Sequence, residues 1–259
     1  MKTLLAAAAA ALVVCLATSI PARASIEFAA QNDLVILHDG PGNNGGIFYV
    51  DVVGSSSSPL IGGYDFPTFC VEITEHISLG SQYKVDSISN TTVLTGKTLG
   101  SFAAWLYTEF LKPYQGLGAG ISGLSGWVSD NAHANAVQSL IWKSMGWTPT
   151  QIAGAMVTTP DAAFITVLET AYAGDLLWTN GASPDAYGNR GTYTGKIAIM
   201  NLVGPYPGST TNAQDQLVYD DTIHAPPPPG AVPEPLSVIV WSLLAMCVGG
   251  SILGRQRVA

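Results

Sequence analysis

The chain has 259 residues, of which 47% are hydrophobic, 11% charged and 9% aromatic, with 28 Gly, 16 Pro and 3 Cys. These proportions exclude a disulfide-built miniprotein, a collagen and a charge-rich disordered chain. Ten Lys and Arg stand against 18 Asp and Glu, a net charge of −8, so there is no basic face for a polyanion and nucleic acid is not expected as a partner.

Mean hydropathy is +0.30, and much of it is concentrated at the two ends. Lys2 is the only charge before an apolar run over 4–16, and Ala22-Arg23-Ala24 follows. That pattern is a secretory signal peptide over 1–24 with an A-x-A cleavage site; an uncleaved N-terminal anchor is the alternative. Residues 34–37 and 47–53 then read as strands around a Gly/Asn turn at 40–46, with a Ser loop at 55–58. A third strand is expected over 66–77. Alternation would place Phe69, Val71 and Ile73 on one face and Cys70, Glu72 and Thr74 on the other. Residues 82–88 continue the sheet.

From Thr98 the period changes, with Phe102, Trp105, Leu106 and Phe110 at helical spacing and Pro113 as the stop. Asp130 is expected to cap a second helix running to about Met145. Thr148-Pro149 and Thr159-Pro160 each read as an N-cap followed by proline at the first helical position. Residues 193–202 and 216–219 are late strands. The fold class is therefore α+β: a single domain over 25–224, with antiparallel strands at both ends around a helical middle.

The remaining sequence is a Pro-rich spacer over 225–232, then Pro233-Glu234-Pro235, an uncharged apolar run over 236–253, and Arg255 and Arg257. Eighteen apolar residues are the minimum for a transmembrane helix, and the arginines mark the cytoplasmic side. This three-part ending resembles the PEP-CTERM sorting signal, here 233–259, read by exosortases of bacteria that make extracellular polysaccharide. The resemblance implies signal peptidase and exosortase as processing partners and transient membrane anchoring by the C-terminal helix. It also implies delivery to the cell envelope, cell surface or extracellular matrix. An ordinary C-terminal anchor is the alternative.

Cys15 lies in the signal segment and Cys247 in the apolar tail, so Cys70 alone remains in the exported domain and no internal disulfide is available to it. On the second helix Ala134, Gln138, Ile141 and Met145 share one stripe, which makes Gln138 a polar exception that needs partners if it is buried. Phe69-Cys70-Val71-Glu72 and Gln138-Ser139-Leu140-Ile141-Trp142 resemble the paired signatures of bacterial surface thioester domains. That resemblance implies a bond between the Cys70 sulfur and the Gln138 side-chain carbonyl, formed with loss of ammonia and able to acylate an amine- or hydroxyl-bearing surface or matrix polymer. It also implies supporting roles for Glu72, in proton transfer, and for Trp142, in shielding. The chain departs from the family at Val137, where a threonine is usual. The expected function is thus a surface or matrix protein, a covalent adhesin and not an enzyme, with no cofactor and no metal. The alternatives are a non-enzymatic biofilm-matrix protein with a free buried thiol and, less favoured, a Cys–His hydrolase, for which His38, His76 and His133 are the histidines available, His76 lying too far along a straight strand to activate Cys70. Asp33 and Asp39 flank a Gly-rich segment that lacks the acid spacing of a calcium loop and reads as a turn.

Overall fold

The structure, a computed structural model, describes residues 28–40, 46–55, 63–115, 121, 131–156, 158–179, 181–190, 193, 195–207 and 211–220. The signal segment, Asp130, most of the turn at 40–46, the Pro-rich spacer and the whole sorting signal, Pro233 to Pro235 and Arg255 and Arg257 included, lie outside them. The chain divides into two compact units, Met1–Ile223 and His224–Ala259, and every described residue belongs to the first. Among the described residues no helix is long and apolar enough to cross a membrane.

Four strands come first: β1 (Leu34–Asp39), β2 (Ile47–Val52), β3 (Phe66–Phe69) and β4 (Gln82–Ser89). Five helices follow: α1 (Ser101–Leu111), α2 (Asn131–Ser144), α3 (Pro149–Ala155), α4 (Ala162–Gly174) and α5 (Leu176–Thr179). The last two strands are β5 (Ile197–Val203) and β6 (Asn212–Tyr219). The fold is mixed α+β, with one six-stranded sheet in the order β3, β2, β1, β4, β5, β6 and every neighbouring pair antiparallel.

Alternation does its usual work at β1, where Val35 and Leu37 are buried and Ile36 and His38 are partly exposed. In β5 six of seven residues are buried, as expected of a strand covered on both faces. The sheet curls until its two edges meet. Ile47 pairs with Phe69 at the end of β3, and the next residue, Cys70, bridges Gln216 in β6. Beside that bridge the Val71 N–H donates to Asp215 O at 2.9 Å and the Thr68 hydroxyl to Leu217 O at 2.5 Å. Cys70 therefore lies on the seam where the sheet closes, which removes two edges that would otherwise expose unpaired backbone.

The third strand is shorter than expected over 66–77: it ends at Phe69, and 71–77 is irregular. The expected alternation fails as well, because Phe69, Cys70, Val71 and Glu72 are all fully buried. Packing on both sides replaces a half-exposed strand. The helix after Thr159-Pro160 begins two residues later than expected. Its N-cap is Asp161, which accepts from the N–H groups of Ala163 and Phe164. A carboxylate next to the proline captures the free amides in place of the threonine hydroxyl. Thr148 and Gln151 form the expected cap of α3 as a reciprocal capping box, with Pro149 in its first turn.

Nearly all of α1 is buried, and its leading amides are satisfied from a distance: Asn189 Oδ1 accepts from Phe102 N and Ser144 Oγ from Ala103 N. Gly100 precedes it in extended backbone, where an added Cβ would collide with the Ser144 side chain, the Asn189 carboxamide and Ser144 O. α2 ends in Gly146 at φ +81°, whose N–H bonds Lys143 O while that of Trp147 returns to Trp142 O. This is a Schellman turn, and it swings Trp147 back towards the seam. Gly100→Ala is expected to cost about 3 kcal/mol, as overpacking at a rigid contact does, measured by urea unfolding. A loss under about 0.5 kcal/mol would mean that α1 and α2 can separate freely there.

Candidate functional site

The seam brings the two halves of the sequence signature together. The Cys70 thiol donates to Gln138 Oε1 at 3.5 Å, and Gln138 Nε2 donates to the Cys70 carbonyl at 2.7 Å. Both residues are fully buried. The free thiol thus sits at hydrogen-bonding range from the oxygen of the very carbon it would have to attack, with that carboxamide held at both ends by one residue.

Position comes from α2, whose stripe of Ala134, Gln138, Ile141 and Met145 is buried as its period requires. Gln138 is not the only polar residue inward on that helix: Asn135 and Ser139 are buried too, with Asn135 Nδ2 donating to Thr158 O and Ser139 Oγ to Ala136 O. Ser139 thus serves its own helix and Asn135 the segment before α4. Gln138 alone reaches the seam.

The peptide carrying Cys70 leaves its ladder here, so its carbonyls need other donors. They come from side chains on distant elements: Tyr107 Oη to Pro67 O at 2.8 Å, Gln138 to Cys70 O, Trp147 Nε1 to Val71 O at 2.9 Å, and Gln214 Nε2 to Glu72 O at 2.9 Å. Sequence reasoning offers Tyr107 and Trp147 only as aromatics near loops that could stack on sugar and passes over Gln214; their donor roles were missed, because a donor aimed at a backbone carbonyl far along the chain leaves no local pattern. Tyr107 and Trp147 are core residues in the structure.

Burial pushes the Cys70 thiol far above its ordinary range, and the Glu72 carboxylate adds to this. The thiol's own amide and the Trp142 indole N–H act the other way with less effect. That indole, buried one turn beyond Gln138, makes no regular hydrogen bond through Nε1. It is an unused donor beside the sulfur, where it favours negative charge on the thiol.

Glu72 faces elsewhere. Its Oε1 accepts the Thr95 hydroxyl, no hydrogen bond links it to Cys70, and its carboxylate lies with those of Glu75 and Asp215, one oxygen of each within 4.8 Å of the others. All three are buried. Burial, then repulsion from Glu72, raises Glu75 to about 7, with the Asp215 amide near enough to offset part of that without hydrogen-bond geometry. Burial, then Glu75, raises Asp215 to about 8, against the pull of the Leu202 and Val93 amides. Glu75 and Asp215 were not singled out from sequence, since nothing in the spacing of 75 and 215 announces a meeting.

The histidines are not at the thiol. His38 pairs with Asp51 at 2.9 Å, His133 with Asp161 at 3.1 Å, and His76 is exposed. Asp33 accepts the Ala30 amide in a local turn, and Asp39 is exposed at the end of β1. A cavity of about 530 Å³ opens on the outer side of α2, between it, α3 and α4, and Trp147 forms part of its wall. Compared with known proteins, the chain matches no family model, no curated protein and no solved structure.

Trp147→Phe keeps the aromatic volume and removes one donor from the buried Val71 carbonyl. It is expected to cost about 2 kcal/mol by chemical denaturation; a neutral substitution would show that the Cys70 peptide is held without it.

Proposed function

We propose that the chain is an exported surface or matrix protein, not an enzyme, that attaches itself covalently to an amine- or hydroxyl-bearing polymer through an internal Cys70–Gln138 thioester. The observation that carries this reading is the buried contact between Cys70 Sγ and the Gln138 carboxamide. The apolar ends of the chain, with Ala22-Arg23-Ala24 at one and Pro233-Glu234-Pro235, Arg255 and Arg257 at the other, support the address, with signal peptidase and exosortase as processing partners.

In the proposed chemistry the Cys70 sulfur attacks Gln138 Cδ and a tetrahedral oxyanion forms at Oε1. The thiol proton passes to the departing nitrogen, the C–N bond breaks and ammonia leaves. A later amine or hydroxyl attacks the same carbon, the C–S bond breaks, and the thiol is regenerated as Gln138 becomes joined to the partner. A thiol pushed so high by burial is not a free thiolate at neutral pH, so proton loss must accompany attack. The Trp142 N–H, beside the sulfur, would favour negative charge on the thiol as its proton leaves, alongside shielding the bond by its bulk. Exclusion of water from a fully buried pair is what would keep the product from hydrolysing.

One observation favours the other reading. The 2.7 Å bond from Gln138 to the Cys70 carbonyl also suits an inert pair in which the carboxamide simply ties α2 to the seam, as in a matrix protein with a free thiol.

The intact mass of the purified protein separates them. A mass below that of the processed sequence by one ammonia, about 17 Da, absent in Cys70→Ala, is the expected result. A full mass with one titratable thiol would overturn the thioester. Methylamine is expected to label Gln138 only while Cys70 is present. Trp142→Phe is expected to slow ammonia loss about tenfold or more while near-native stability is retained, as removal of a hydrogen bond to an ionising group does; an unchanged rate would leave Trp142 as packing alone.

A further inference from the structure

The three carboxylates beside the seam lack what buried acids usually have. Glu72 is fully buried, Asp215 is 1% exposed and Glu75 is 5% exposed. Among the described residues no Lys, Arg or His forms an ion pair with any of them. Asp215 is the best satisfied, its two oxygens taking the Leu202 amide at 3.1 Å and the Val93 amide at 3.3 Å. Glu72 uses only Oε1, on Thr95, and leaves Oε2 bare; neither oxygen of Glu75 has a hydrogen-bond partner. Among the described residues Glu75 is the one buried side chain with two unpartnered atoms; Glu72, Asn135, Trp142, Asn201 and Gln216 each leave a single atom unused.

We infer that Glu72, Glu75 and Asp215 form a binding site for a hard divalent cation of the calcium type. One oxygen from each carboxylate lies within 4.8 Å of the others, a separation that oxygens bound at about 2.4 Å to one Ca²⁺ do not exceed. The donor set is all oxygen, with no histidine or cysteine, which suits Ca²⁺, Mg²⁺ or Mn²⁺ and disfavours zinc or copper. The bare oxygens supply further coordination, and solvent would complete it. The cluster is flanked by the turn at 92–96, which sends the Val93 amide and the Thr95 hydroxyl to it and leaves Val93 52% and Leu94 55% exposed.

The three ligands come from places that the backbone joins only at the seam: Glu72 and Glu75 follow Cys70 directly, and Asp215 lies next to its bridge partner Gln216. A bound cation would therefore brace the irregular segment after β3 against β6 by electrostatic attraction, where the Val71 N–H to Asp215 O bond and the Gln214 side chain on Glu72 O now do it. The inference does not depend on the thioester, since the ion meets carboxylates and not the thiol.

The test is calorimetric titration of the chelator-treated protein with CaCl₂, MgCl₂ and MnCl₂ in turn, together with thermal unfolding in each salt and in chelator. One Ca²⁺ per chain and a melting temperature higher in calcium than in chelator are expected. Glu75→Gln, which retains volume and removes one ligand charge, is expected to weaken binding about tenfold or more. A cooperatively folded wild-type protein that gives neither heat nor a shift with any of the three salts overturns the site, as does equal affinity in folded Glu75→Gln. Should that variant not fold, Glu75→Asp keeps the charge and withdraws the oxygens. Weaker binding supports the site, and unchanged binding overturns it. Ammonia loss measured on the same samples reports the Cys70–Gln138 bond separately, so either reading can fail without the other.

Discussion

A strand that leaves its sheet before its carbonyls are paired has to be caught by something, and at residues 67–72 the catching is done by side chains. Tyr107 of α1, Gln138 of α2, Trp147 beyond α2 and Gln214 of β6 each give one donor to this peptide. A buried unpaired carbonyl costs about 1–3 kcal/mol, so four of them left open would consume much of a typical domain's stability. The helical layer and the closing edge of the sheet are consequently tied to one short segment. The reactive-looking pair sits within that tie: Gln138 is one of the four donors and Cys70 one of the four acceptors.

This explains why the site is rigid and dry at once. The Schellman turn at Gly146 fixes where Trp147 points, and the close pass of Gly100 against α2 fixes the separation of the two buried helices. Neither residue touches the thiol, yet Gly146 sets the donor on the adjacent Val71 carbonyl and Gly100 the packing of the helix that carries Gln138. Protection from water and a raised thiol follow from the same burial. Packing that stabilises the closed sheet is thus also the packing under which a thioester would survive.

Among the described residues most of the buried polar atoms left over lie near the seam, Asn135 Oδ1 and Asn201 Oδ1 excepted. Trp142 Nε1 lies beside the sulfur, Gln216 Oε1 belongs to the bridge partner of Cys70, and the free oxygens of Glu72 and Glu75 lie with Asp215. Unused donors and acceptors gathered at one place are where chemistry or a ligand is to be sought.

Much of this was legible in the chain itself. The helical stripe through Ala134, Gln138, Ile141 and Met145 follows from the 3.6-residue period, and Cys70 stands out as the one thiol between two apolar ends. The Thr148 cap and the strand–helix–strand order were readable because propensity and capping act over a few neighbours. The early end of β3, the cap at Asp161 and the burial of both faces at 69–72 were not, since each depends on what packs from outside the segment. By itself the sequence determined the element types, the acidic balance and the residues available for chemistry. The Cys70–Gln138 meeting was implied by resemblance and not by any local period; only the tertiary structure supplied its physical basis and decided that Glu75 would meet Asp215, because those approaches depend on how the sheet curls and how α2 packs against the seam.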